Sequence, residues 1–209
     1  MCTLLTILTI LSSFLTNLET KTLQSDFIVT VAEEVNAPMN YPGELTMHGP
    51  CFKVEMFNIE AAYDGKTMYM YSPETDELTL TNPTEQELLE SNPLLYAKAL
   101  VPVCNIVERT SQDGSQTIVT LTPKDPERLP DGTGRAASAE KGITKFVLRV
   151  RNSDLMPLSV EIKEGKKTST LKMKEPKFVQ GAKEAYVITP EKDTYSIIKM
   201  NRRSAWNFI

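Results

Sequence analysis

The chain has 209 residues, and its 23 Lys and Arg against 27 Asp and Glu leave a net charge of −4. That balance supplies no broad positive field for phosphate backbones or anionic lipid surfaces, so nucleic acid is not an expected partner. Three cysteines (Cys2, Cys51 and Cys104) without a CxxC pair, and His48 as the lone histidine, make no familiar zinc or redox spacing, so no metal and no other cofactor is expected. The length suits one domain over 1–209, since all-β chains of this size often run undivided.

The first element reads as a helix. Leu4, Ile7, Leu8, Leu11, Phe14, Leu15 and Leu18 recur at spacings of three and four, with Thr6, Thr9, Ser13, Thr16 and Asn17 mostly opposite. Residues 1–20 are therefore an amphipathic helix or a residual signal segment. The run is greasy like a signal core, but it lacks a basic start and an A-x-A site, and Ser and Thr make it a poor membrane span.

Period two then takes over, with Leu23 to Val31 rich in β-branched and aromatic residues. Pro38, Pro42 and Gly43 predict a turn over 37–43. Beyond it Leu45 and Met47 alternate with Glu44, Thr46 and His48, and Phe52, Val54 and Met56 alternate with Lys53, Glu55 and Phe57, as in strands with one wet face. Asp64-Gly65 between two β-rich runs predicts a type I′ hairpin, whose central residues both need positive φ, with Met68 to Tyr71 as its second strand. Pro73 to Asp76 form a turn, and Leu78 and Leu80 continue the meander.

Thr84-Glu85-Gln86-Glu87 has the form of a capping box, and Asn92-Pro93 puts proline at a first helical position. Two short helices are predicted, the second carrying Leu94, Leu95, Ala99 and Leu100. Strand patterns resume at 106–107, 118–121, 146–150, 158–162 and 171–173. Residues 123–142, with Pro123, Pro126, Pro130, Gly132, Gly134 and Gly142, read as a long loop, and 200–209 as a tail. Short strands with interposed turns and a few helices argue for an all-β sandwich or barrel with helices filling one opening.

A nucleophilic triad needs a base beside a serine elbow; His48 lies in an alternating strand, expected to be exposed, and no such elbow is present. The carboxylates at 33–34 and 85–90 fall at strand ends and helix faces, so no acid–base pair and no catalytic residue is assigned, and the chain is not expected to be an enzyme. Met47, Met56, Met68, Met70 and Met173, with Phe27, Phe52, Phe146 and Leu148, place soft apolar groups on strand faces, suited to an irregular ligand or to ordinary core. Cys51 and Cys104 either close a disulfide, contributing roughly 4 kcal/mol in an oxidising compartment, or remain two buried thiols.

Several stretches resemble the periplasmic outer-membrane lipoprotein carrier family, LolA. They are Leu23-Gln24-Ser25-Asp26-Phe27 after a leading helix, Gly43-Glu44-Leu45 followed by Gly49 and Phe52, and Tyr63-Asp64-Gly65-Lys66-Thr67-Met68-Tyr69-Met70-Tyr71-Ser72-Pro73. The later runs from Ile118 to Lys124, from Leu155 to Leu158, from Tyr186 to Pro190 and from Tyr195 to Ile198 are similar to that family's later strands. The resemblance implies a mainly β fold, a strongly curved antiparallel sheet forming an incomplete β-barrel with helices covering one opening. It implies a periplasmic, lipid-binding chaperone of protein transport and outer-membrane biogenesis, acting as a monomer. Its cargo would be lipoprotein acyl chains, received from an inner-membrane lipoprotein-releasing ABC transporter and given to an outer-membrane acceptor.

On the strand faces above, the cavity would be lined by Phe27, Leu45, Met47, Phe52, Val54, Met56, Met68, Met70, Phe146 and Leu148, under a lid holding Leu11, Phe14, Leu94 and Leu95. Many family members carry an arginine before the proline of the second strand that ties the lid to the barrel. Here Gly49 precedes Pro50, so that lid mechanism does not transfer, and the sequence looks closer to the divergent branch found in Bacteroidetes. A lipid- or lipoprotein-sensing regulatory module of the same fold is the alternative. At about 0.8 kcal/mol per buried methylene, enclosing three long acyl chains would gain over ~30 kcal/mol, beyond the roughly 20 kcal/mol at which affinities saturate. A carrier must therefore hold its cargo incompletely, under a lid of low stability near 4–18 and 84–100.

Overall fold

The structure, a computed structural model, describes residues 3–34, 36–84, 87–88, 91–125, 143–179, 186–190 and 195–199. Helix α1 (Thr3–Thr20) is the amphipathic element that the spacing predicts: Leu11, Phe14 and Leu18 share one face, and all three are buried. No described helix is long and apolar enough to cross a membrane.

A meander follows: β1 (Thr22–Ala32), β2 (Met39–His48), β3 (Cys51–Met56), β4 (Ile59–Tyr63), β5 (Met68–Ser72) and β6 (Glu77–Thr81). Thr84 and Glu87 close the expected capping box. The Glu87 carboxylate accepts from the Thr84 N–H at 2.7 Å, and the Glu87 N–H donates to Thr84 Oγ1 at 3.3 Å. Helix α2 (Pro93–Leu100) starts at the expected cap, with Asn92 Oδ1 accepting from the Leu94 and Leu95 N–H groups at 3.1 and 3.4 Å.

The second series is β7 (Cys104–Thr110), β8 (Gln116–Pro123), β9 (Ile143–Arg151), β10 (Pro157–Glu164), β11 (Lys167–Val179) and β12 (Ser196–Lys199). All twelve strands form one sheet in the order β12-β6-β5-β4-β3-β2-β1-β11-β10-β9-β8-β7, the two series joining where β1 pairs with β11. β7 and β12 are its two edges, so the curved sheet stays open, an incomplete barrel. β12 runs parallel to β6, a departure from the expected all-antiparallel pairing.

Alternation decides which side chains meet. Leu23, Phe27 and Val29 of β1, Leu45 and Met47 of β2, Val119 and Leu121 of β8, and Phe146, Leu148 and Val150 of β9 share one core with Leu11, Phe14 and Leu18 of α1 and Leu94, Ala97 and Leu100 of α2. Both helices therefore cover the inner face. A smaller cluster on the outer face joins Ala62, Tyr71 and Leu78 to Ile188, which the strand-by-strand reading did not foresee.

Four local expectations are corrected. The turn over 37–43 is instead the start of β2. β3 stops opposite Gly43, so Pro42 sits on a stretch of β2 with one neighbour, where a residue lacking an N–H is tolerated. The hairpin at Asp64-Gly65 is not type I′. It is a four-residue loop in which Asp64 Oδ1 accepts from the Lys66 and Thr67 N–H groups, both at 2.8 Å, and Gly65, not Asp64, has positive φ. The two-residue turn with both φ positive is Phe57-Asn58, at +59° and +56°, so Phe57 leaves the strand alternation and stacks on Tyr41 with centroids 4.4 Å apart. His48 is half-buried rather than exposed, its Nδ1 3.3 Å from Thr22 Oγ1.

Cys51 and Cys104 are free thiols, the former half-buried and the latter buried. Most of the loop expected over 123–142, from 126 onward, and the tail over 200–209 lie outside the described residues, while Pro123 closes β8.

Candidate functional site

An apolar cavity lies between the inner face of β1–β5 and the start of α2. Cross-strand register builds its floor. Leu45, Val54, Ala61 and Met70 stand opposite one another across four neighbouring strands, flanked by the row Phe27, Gly43, Met56 and Ile59. Ala61, small in the middle of its row, leaves space between Val54 and Met70, while over Gly43 the Phe27 ring takes the place of a side chain. At Gly43 a Cβ would stand 2.5 Å from the Phe27 ring and 2.7 Å from the Glu55 carbonyl oxygen, so the ring closes down on bare backbone there. Phe52, Met68, Val29 and Leu171 complete the sheet side, and Ser91, Asn92 and Pro93 form the facing wall. The free space within it, which opens at a mouth, amounts to about 80 Å³.

Of the side chains expected to line a cavity, Phe27, Leu45, Phe52, Val54, Met56, Met68 and Met70 do so. Met47, Phe146 and Leu148 do not. They point to the same inner face, but each is fully buried in the closed core. The expected lid residues Leu11, Phe14 and Leu94 are also buried in that core, with Leu95 half-buried against it. Val29, Ile59, Ala61 and Leu171 were missed, although Val29 follows Phe27 by two and pairs with Leu171, so alternation held a signal for it. Asn92 was read as a cap; nothing in the sequence shows that it also faces the cavity.

Among the described residues no charged side chain lines the cavity. Glu108 of β7, half-buried opposite Val119, reaches helix α1 and accepts from the Leu11 N–H at 3.4 Å. Burial pushes its carboxyl above the ordinary range, against the lowering effect of that bond. Burial likewise raises the thiols of Cys51 and Cys104, leaving them protonated and weakly reactive. Among the described residues no group of three or more His, Cys, Asp or Glu could hold a metal ion.

A conserved protein of uncharacterized function from Thermus thermophilus is similar in structure over 91% of this chain and 97% of its own, at TM-score 0.56 and 14% identity. The two chains share a fold. Looser matches include a LolA superfamily protein from Nitrosomonas europaea (TM-score 0.40, 11% identity, 87% of this chain and 97% of that one) and the lipoprotein LppX of Mycobacterium tuberculosis (TM-score 0.46, 10% identity, 83% and 96%). No protein-family model and no curated protein sequence matches the chain. The open, curved sheet with two described helices on its inner face is an incomplete barrel, the fold class expected from the sequence.

Proposed function

We propose that this chain is a periplasmic lipoprotein carrier. As a monomer it takes the acyl chains of lipoproteins from an inner-membrane releasing ABC transporter into its cavity and carries them to an acceptor at the outer membrane. The observation that carries this reading is the cavity itself: an apolar hollow of about 80 Å³, open at a mouth and without a charged side chain among the described residues that line it, on the inner face of an open sheet. An apolar lining of this kind suits apolar ligands.

Size also addresses release. The free space in the cavity, about 80 Å³, is far too small to enclose three long acyl chains. Cargo is then only partly enclosed, and its affinity stays within reach of a partner that must remove it.

The test uses the purified protein with an apolar fluorescent dye and a triacylated lipoprotein. Dye uptake, its displacement by the lipoprotein, and a lipoprotein that stays soluble are the expected results. Val54→Asp, which puts a carboxylate in the middle of the floor, should weaken dye binding roughly tenfold or more. A protein that neither takes up dye nor prevents lipoprotein aggregation is not a carrier.

A further inference from the structure

The apolar inner face does not stop where the cavity ends. Val29, a lining residue, stands between Leu171 and Tyr41 in the register, and two residues further along β1 Val31 pairs with Met39. Phe57 follows Met56, another lining residue. Its ring stacks on Tyr41, whose hydroxyl donates to Met39 Sδ at 3.0 Å. Val31 and Tyr41 pack against the core, whereas Phe57 and Met39 are 48% and 50% exposed.

Phe57 is also held at a cost. The turn it shares with Asn58 needs positive φ at both positions, which Asn and Gly adopt readily and a bulky aromatic does not. An asparagine would build the same turn with less strain. The ring that stands there instead remains half in water, so packing within the chain does not account for it.

The free space of the cavity, about 80 Å³, leaves most of a long acyl chain outside. We propose that the hydrocarbon that does not fit lies along Tyr41, Phe57 and Met39, an outer subsite continuous with the cavity floor. Resting on the carrier reading, this says where the outlying part of the cargo goes. A methionine beside two aromatic rings offers an adaptable apolar surface. Exposed Asp26, Glu44 and Glu55 border the same ground, with Lys174 as the one cation among the described residues there. That surplus of carboxylates repels an anionic membrane surface and leaves an uncharged chain unaffected.

The test is a chain-length series in dye-displacement titrations, with fatty acid methyl esters of about 8, 12 and 16 carbons, each added methylene being worth up to ~0.8 kcal/mol when fully buried. The wild-type protein should bind the longest ester roughly tenfold more tightly than the middle one, because the added methylenes are partly buried outside the cavity. Phe57→Asn suits the turn and removes the ring. Its melting temperature should hold or rise, the shortest ester should bind as before, and the ratio should fall to about threefold or less. Should Phe57→Asn not fold, Met39→Gln, which lies outside the turn, decides by the same fall.

A wild-type affinity that stops rising beyond the shortest ester, an undiminished ratio in Phe57→Asn, or an equal loss for all three esters overturns the subsite and leaves the carrier reading standing. Failure of every ester to displace the dye overturns both. Vesicle binding or self-association abolished by Phe57→Asn, with the ratio unchanged, gives the patch to a lipid surface or to a second copy of the chain and overturns the subsite.

Discussion

The two halves of the sheet turn the same kinds of residue inward and do different things with them. On β8 and β9, Val119, Leu121, Phe146, Leu148 and Val150 are all 0% exposed, a filled interior. On β3 and β5, Val54 and Met70 are half-buried and border open space. Ala61 in the middle row of the first half thins the layer of side chains, while Phe146, Leu148 and Leu121 thicken it in the second. One half is packed shut, and the other keeps open space that, on the carrier reading, a ligand would fill.

The sharpest way to break this comparison is a pair of truncations. Phe146→Ala should cost about 3–5 kcal/mol in denaturant unfolding, since it empties a closed core. Met70→Ala, on the cavity floor, should cost about 1 kcal/mol or less and mainly change dye affinity. Equal losses would show that the cavity wall is packed as tightly as the core.

Gly43→Ala should cost about 1–3 kcal/mol by the same assay, because its Cβ would meet the Phe27 ring and the Glu55 carbonyl oxygen together. Backbone cannot yield there, so the ring must, and it turns toward the cavity. Dye uptake should fall along with stability. A variant of unchanged stability and uptake would mean that the hollow does not depend on bare backbone at 43.

The smallest expected effect lies at Glu108. Its folded-state pKa is raised by burial, so its contribution to stability is fullest while the carboxyl is protonated and is lost as pH rises through the raised value. Glu108→Gln keeps an acceptor for the Leu11 N–H and removes the charge. It should raise the melting temperature at pH 7 by about 1–2 °C and flatten the fall in stability between acid and neutral pH. A lower melting temperature at pH 7 would show that the ionised form is needed.

Alternation made the inner face legible: Phe27, Leu45, Phe52, Val54, Met56, Met68 and Met70 lie where period two puts them. It could not separate Met47, Phe146 and Leu148 from these, because the pattern names a face and is silent about what covers it. Turn chemistry was a weaker guide. Asp64-Gly65 carries the favoured residues for a tight hairpin, yet Asp64 bonds its own loop, while Phe57-Asn58 adopts positive φ without a glycine, the Phe57 ring stacked on Tyr41. The outer cluster around Ile188 depends on chain arriving from far along the sequence, which no local period records. The caps at Thr84 and Asn92 were legible because their bonds reach only two or three residues along the chain.

Gly49 stands where many members of the family that the sequence resembles carry an arginine, and its contact with α1 is made by main chain. Its N–H donates to the Leu18 carbonyl at 2.8 Å, satisfying one of the acceptors that the end of α1 leaves open, and its φ of +55° suits a residue without a Cβ. A tether made of main chain has no side-chain letter to drift. Substitutions at Leu18 leave its carbonyl in place, and at 49 the changes that cut the bond are a proline or a residue that refuses the turn. Comparison of many such sequences would therefore register the tether as a preference for glycine at one position and as nothing at the other, with no covarying partner to reveal that the two are joined.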